Sequence, residues 1–199
     1  MESGQDKSWK EFLAKIETFS HRDIVERAVN FLPENTRCVV DCGCGDGRNS
    51  QYLLNQNLEV HAFDQDVSAV NLCRMRFLKY PSFAVCLSSH EQYIYPANSL
   101  VLAFDNFLVS SPENFALCWH NLSCSIEMNG LFCGDFLGVK DSWSNQYNQD
   151  AMKFSEADIR TLLSAFDILE WQVKDTSVTT MSSQEKHKHT HTLLARKRY

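Results

Sequence analysis

Apolar and polar positions along this chain alternate between two rhythms, short aliphatic runs and longer stretches with helical spacing. Trp9, Phe12, Leu13, Ile16 and Phe19 recur at helical intervals and predict a helix over 6–19. A second helix is expected from Arg22 to about Phe31, with Pro33 helping to end it. Extended runs follow at 38–41, 58–64, 83–87, 100–104, 131–136, 166–173 and 190–195. Between them lie a helix carrying Tyr52, Leu53 and Leu54, and one from Ala69 to Leu78 that Ser68 is placed to cap. A further helix runs from Phe115 to about Ile126, after which Gly130 is expected to turn the chain into the next strand. The segment from Phe154 to Phe166 reads as a helix capped by Ser155, with Glu156 and Asp158 in its first turn. Strands alternating with helices predict an α/β fold, a doubly wound, Rossmann-like, mostly parallel sheet covered on both faces.

Candidate chemistry concentrates after the first strand, in Asp41-Cys42-Gly43-Cys44-Gly45-Asp46-Gly47-Arg48-Asn49-Ser50. Glycines at alternate positions let the backbone turn tightly and let a ligand lie against it. The helix that follows offers free N–H groups to that ligand. A dinucleotide fingerprint would place its third glycine at the sixth position, which is Arg48, and a phosphate loop would end in Gly-Lys-Ser/Thr, which is missing. The pattern acidic-x-Gly-x-Gly-x-Gly from Asp41 to Gly47 instead resembles motif I of the class I S-adenosylmethionine-dependent methyltransferases.

Asp64 ends the second strand, 23 residues beyond Asp41. A carboxylate about 20 residues past such a loop accepts hydrogen bonds from ribose hydroxyls. The competing reading is a turn acid that caps the next helix.

Composition narrows the classes. The chain has 199 residues, 44% hydrophobic and 22% charged, enough for one enzyme-sized core. The whole of 1–199 is expected to be one methyltransferase domain, with N-terminal helices in 1–35, a cofactor-binding half in 36–138 and a substrate-side half in 139–199. No apolar run approaches the ~20 residues that span a bilayer, and Met1–Lys7 lacks the form of a signal peptide. A cytoplasmic protein without a membrane partner is expected. Eight cysteines without a Cys-x-x-Cys pair read as a reduced interior set rather than a disulfide framework or zinc site. Cys44 stands apart, because it lies inside the glycine loop. The net charge of −6 argues against a nucleic-acid partner. The basic residues Lys186, Lys188, Arg196, Lys197 and Arg198 form too short a cluster for a duplex.

Gly47-Arg48-Asn49-Ser50 with Tyr52-Leu53, the segment 134–143, and Lys186-His187-Lys188-His189 resemble small bacterial methyltransferases of the tellurite-resistance type. That resemblance implies a seven-stranded sheet whose last strand runs antiparallel. It also implies that Asp41 shapes the loop and meets the amino-acid end of S-adenosylmethionine, beside backbone groups of Gly43, Cys44 and Gly45. Arg48 and Asn49 would brace the loop, Asp64 would hold the ribose, and Gln65 would lie beside the adenine. Phe104, at the end of strand four, joins the cofactor set. Relatives often carry an acid just after strand three, whereas this chain has Leu87-Ser88-Ser89, which leaves Ser88 or a backbone carbonyl to meet the adenine. Relatives also often begin strand four with aspartate, where this chain has Val101.

The implied reaction is in-line transfer of a sulfonium methyl, leaving S-adenosylhomocysteine. Position and desolvation dominate such chemistry, so a side-chain base is optional. Candidate catalytic groups are Asp105 after strand four and His187 and His189 in the last strand. Asp135 in strand five, and Trp143 and Tyr147 as an aromatic lid, are further candidates with packing as the alternative. His187, His189 and His191 alternate and so share one side of a strand. Such a stripe suits a substrate contact, a base, a metal or an exposed sheet surface; no metal site is assigned. A small-molecule acceptor, an oxyanion or a thiol, is the first expectation. A protein or nucleic-acid methyltransferase and a non-catalytic S-adenosylmethionine binder are the alternatives. Acceptor identity and oligomeric state are not legible.

Overall fold

A computed structural model describes residues 20–36, 38–104, 112–142, 151–179 and 185–199. The helix expected over 6–19 lies outside them. Helices are α1 (Asp23–Asn30), α2 (Arg48–Asn55), α3 (Val67–Arg76), α4 (Pro112–Ser125) and α5 (Glu156–Leu162). Strands are β1 (Cys38–Cys42), β2 (Glu59–Asp64), β3 (Phe83–Leu87), β4 (Asn98–Ala103), β5 (Ile126–Leu137), β6 (Phe166–Thr179) and β7 (Glu185–Lys197).

These strands form one seven-stranded sheet in the order β3-β2-β1-β4-β5-β7-β6. β1 pairs in parallel with β2 and β4, as do β2 with β3 and β4 with β5. β7 runs antiparallel to both β5 and β6. The α/β architecture and the antiparallel last strand expected from the sequence are therefore present. The chain leaves β1 towards β2 on one side and returns to β4 on the other, so the crevice of a doubly wound sheet opens at the carboxyl ends of β1 and β4.

Alternation along the strands supplies two cores. Val39, Val60, Leu100, Leu102 and Leu131 face Val25, Ala28, Leu53, Leu54 and Phe77. On the opposite face Val40, Val101, Phe132, Phe136 and Leu193 meet Phe115, Trp119, Leu122, Phe154 and Ile159. Every residue of β4 is buried, as a central strand covered on both sides requires.

Three expectations need correcting in detail. Asp66, not Ser68, caps α3: its carboxylate accepts the Ser68 N–H at 2.7 Å. Asp66 keeps extended backbone angles, whereas Ser68 is already the second helical residue. By contrast Ser155 caps α5 as expected, in a reciprocal box with Asp158. Gly130 does not precede strand five, because β5 begins at Ile126 directly after α4. A register shift against β4 absorbs the extra residues, and Asn129 takes the left-handed turn with φ 66°. Finally, β6 and β7 run well past the segments predicted for them. β5 stops opposite Thr190, while β6 and β7 stay paired out to Thr179 and Glu185. Apolar alternation marks only the part over the core, and the polar residues beyond it form a two-stranded arm.

Candidate functional site

The glycine loop takes its shape from three left-handed residues, Gly43 (φ 60°), Gly45 (φ 54°) and Gly47 (φ 74°). Gly45 has open space where a side chain would start, while a Cβ on Gly47 would lie 2.6 Å from the Phe77 ring. Gly45 thus leaves room above the loop, whereas Gly47 is required by packing against Phe77. Two bonds tie the loop to β2. The Cys44 N–H donates to the Phe63 carbonyl at 3.1 Å, and the Gly45 N–H donates to Asp64 Oδ2 at 2.9 Å. Asp64 Oδ1 accepts the Asp66 N–H at 2.9 Å. Each oxygen keeps a further lone pair.

Asp41 stands behind the loop, 2% exposed, with Ser50 Oγ donating to its Oδ2 at 2.6 Å. Burial pushes its carboxyl up to about 6 against the bond from Ser50, and the nearby Asp64 and Asp46 carboxylates push the same way. Arg48 clamps Asp46, with Nη2 donating at 2.6 Å and Nε at 3.0 Å. Burial alone would raise the Asp46 carboxyl, but the Arg48 clamp holds it below the usual carboxylate range.

A cavity of about 580 Å³ opens over this loop, lined by Arg22, Gly43, Cys44, Gly45, Asp46, Arg48, Asn49 and Phe104. Arg22 lies with its guanidinium 4.7 Å from the Phe104 ring centre. The Arg22 main-chain N–H donates to Asn49 Oδ1 at 3.2 Å, and the neighbouring His21 ring stacks on Tyr52 at 3.8 Å. The chain before α1 is thereby pinned over the crevice. From the sequence Arg22 reads only as a helix start, and Asp46 carries no assignment of its own. No local pattern announces that Arg22 meets a residue so distant in sequence.

Among the other sequence candidates, Gln65 is exposed at the end of β2. Ser88 reaches the same place through its backbone: its N–H donates to the Asp64 carbonyl at 3.0 Å, and its Oγ to the Ser89 carbonyl at 3.2 Å. Neither lines the cavity. Asp135 is 6% exposed within β5. Asp105, Trp143 and Tyr147 lie outside the described residues.

His187, His189 and His191 share one side of β7, as their alternation requires, yet their surroundings differ. His187 Nε2 lies 2.5 Å from Asp175 Oδ1, and Ser177 Oγ lies 3.2 Å from its Nδ1. Lys140 Nζ donates to the other Asp175 oxygen at 2.7 Å. Lys140 and then His187 hold the Asp175 carboxyl at about 2. His189 is 7% exposed, and its Nδ1 accepts the Lys140 N–H at 3.2 Å. His191 Nδ1 accepts the Trp171 indole N–H at 3.1 Å. Amide and indole nitrogens only donate, so both neutral rings carry their proton on Nε2. Burial and then the neighbouring His189 push the His191 imidazole below its ordinary range. Among the described residues, no group of three or more His, Cys, Asp or Glu side chains assembles as a metal site, and no helix is long and apolar enough to cross a membrane.

The family model described as tellurite resistance protein TehB matches residues 7–80. The ribosomal RNA small subunit methyltransferase H of Brachyspira hyodysenteriae is 24% identical over 86 residues, 43% of this chain and 29% of that protein. The chain thus spans under a third of this curated relative. Among solved structures, TehB from Haemophilus influenzae superposes with a TM-score of 0.78 at 18% identity, covering 94% of this chain and 66% of that one. The N-methyltransferase NodS from Bradyrhizobium japonicum, in complex with S-adenosyl-L-homocysteine, gives 0.66 at 10% identity over 88% and 86%. At such identities the likeness establishes the fold, and it is the fold that the sequence motifs indicated.

Proposed function

We propose that this chain, which resembles the class I S-adenosylmethionine-dependent methyltransferases of the tellurite-resistance type, transfers a methyl group from that donor to a small-molecule acceptor. One observation carries the reading: the loop at the end of β1 is open at Gly45 and hooked through its N–H to the carboxylate of Asp64. The residues present fit the donor. A cavity of about 580 Å³ lies within the roughly 300–1,000 Å³ usual for small-ligand sites. Asp64 keeps acceptor capacity for two ribose hydroxyls. Gly43, Cys44 and Gly45 offer backbone groups to the amino-acid end, with Arg22 and Asn49 placed for its carboxylate. The buried, charge-averse Asp41 would be relieved by a cationic ammonium. Gln65 and Ser88, beyond the cavity lining, stay the candidates to meet an adenine.

When bound, the donor supplies an electrophilic sulfonium methyl. The protein's own share is alignment and exclusion of water, and alignment alone is worth ~7–11 kcal/mol. On the acceptor side the arm contributes His187, oriented by Asp175, and the Nε2–H of His189. Asp105 after β4 stays in the candidate set. The net charge of −6 supports a small acceptor over a nucleic acid. Eight free thiols support a reducing compartment, hence the cytoplasm.

Calorimetric titration with S-adenosylhomocysteine tests the reading. The wild-type chain should bind, and Asp64→Ala, which also gives up the Gly45 and Asp66 N–H bonds, should stay folded but bind at least tenfold more weakly, since bonds to a charged group contribute ~1.5–3 kcal/mol. No heat at millimolar ligand, or equal affinity in the variant, would overturn it.

A further inference from the structure

Two thiols from separate elements touch directly beneath the cradle. Cys44 sits in the loop between Gly43 and Gly45, and Cys73 belongs to α3, 29 residues further along the chain. Their sulfurs lie 3.8 Å apart. The Cys73 thiol also donates to the Gly45 carbonyl at 3.4 Å. Cys44 lines the cavity, while Cys73 is fully buried behind it.

We propose that Cys44 and Cys73 form a reversible disulfide that closes the cradle, so that ligand binding at the loop depends on thiol oxidation state. The identity of the gated ligand rests on the function proposed above. The site would take a two-electron oxidant of the peroxide class. One thiolate attacks a peroxide oxygen to give a sulfenic acid, with the oxygen–oxygen bond breaking to release water. The second thiol then displaces the hydroxyl as water. Two thiols and one hydrogen peroxide thus become one disulfide and two waters, and a dithiol reductant reverses the change.

Geometry couples the bond to the site. A disulfide holds its sulfurs about 2.05 Å apart, so the pair must close by nearly half its present separation. Cys73 is set in a helix packed against the core, so Cys44 is the partner that moves. Glycine on both sides of Cys44 gives the loop backbone the freedom to follow. Closure removes the thiol from the Gly45 carbonyl and draws the Gly45 N–H away from Asp64. Hydrogen bonding with Cys73, and then burial, push the Cys44 thiol well above its ordinary range, so the pair rests as two thiols and the attacking thiolate is a minor form whose share, and with it the rate of oxidation, rises with pH. Cys86 and Cys124 are exposed and serve as internal controls for unspecific oxidation.

The experiment treats the full chain with hydrogen peroxide, blocks remaining thiols with an alkylating agent, and maps peptides by mass. A cross-linked 44–73 peptide, two mass units lighter than the reduced pair, is expected. S-adenosylhomocysteine affinity should fall at least tenfold and recover in dithiothreitol. Cys73→Ser and Cys73→Ala should give no cross-linked peptide, and Cys44 that meets peroxide in them should be found as a sulfenic or higher acid instead. Oxidation confined to Cys86 or Cys124, or a 44–73-bonded protein that binds like the reduced one, would overturn the proposal. A reduced wild-type chain that binds no S-adenosylhomocysteine would instead overturn the ligand assignment and the gating with it, while the mass readout still decides the bond.

Discussion

The cradle at the end of β1 and the arm built by β6 and β7 are polar structures at the same end of one sheet, assembled by opposite means. In the cradle the shape is set by the backbone, held by three left-handed glycines and two bonds to β2. In the arm the groups are side chains, with Asp175 joining His187 and Lys140 across two strands and a loop. A backbone site tolerates few substitutions, because its shape is set by φ and by what a Cβ would strike. A side-chain site on paired strands tolerates many, because the ladder survives any single exchange. On the function proposed above, the cradle would take the invariant donor and the arm the variable acceptor.

Substitutions separate the two regions, beginning with the largest effect. Gly47→Ala should cost about 2–5 kcal/mol, combining ~1–2 kcal/mol for the left-handed backbone with ~1–3 kcal/mol for overpacking against Phe77. The melting temperature should drop by roughly 5–15 °C and S-adenosylhomocysteine binding should be lost. A variant that melts like the wild type would mean that the loop is softer than its geometry.

Asp41→Asn should act in the opposite direction on stability. The folded carboxyl titrates at about 6 against an ordinary 3.8. Folding therefore favours the protonated form, and the group's contribution, full below 3.8, is lost as pH rises through about 6. Removing the charge should stabilise the protein by up to about 3 kcal/mol at pH 8, and by little at pH 4, while weakening the ligand. Urea denaturation of both proteins across that range measures the difference.

On the arm, Gly138→Ala places a Cβ 2.2 Å from His189 Nδ1. A cost of about 1–3 kcal/mol is expected, with S-adenosylhomocysteine affinity unchanged and turnover reduced. Weaker ligand binding would show that the two regions are coupled.

The smallest effect concerns His191. Its folded imidazole is lowered by burial and by His189, while Glu156 and Asp175 pull the other way. The stability it contributes is present above pH 6.5 and is lost as pH falls below it towards the folded value. His191→Gln should flatten the acid limb of a thermal-melting series, and an unchanged limb would assign that slope to other groups.

Much of this was legible from residue order. The glycine spacing and the acid at 64 named the cradle, because a short loop and the strand beside it are local in sequence once the βαβ unit is recognised. Ser155 was legible as a cap for the same reason. Residue order does not separate Asp66 from Ser68 as the cap, since two capping residues so close together differ only in backbone angles. The turn expected at Gly130 failed because Asn129 also reaches the left-handed region. Residue order marks only part of β6 and β7, because hydrophobic alternation stops where the core stops, although strand pairing continues.

What the sequence determined by itself is the class of fold and the pairing of the glycine loop with the acid at 64, for both follow from local spacing and hydrophobic period. Tertiary structure alone decided that Arg22 closes the cavity with Phe104, that Asp175 grips His187, and that Cys44 meets Cys73. Those contacts depend on which strand lies beside which, and strand order is set by packing across the whole sheet rather than by any residue's neighbours in the chain.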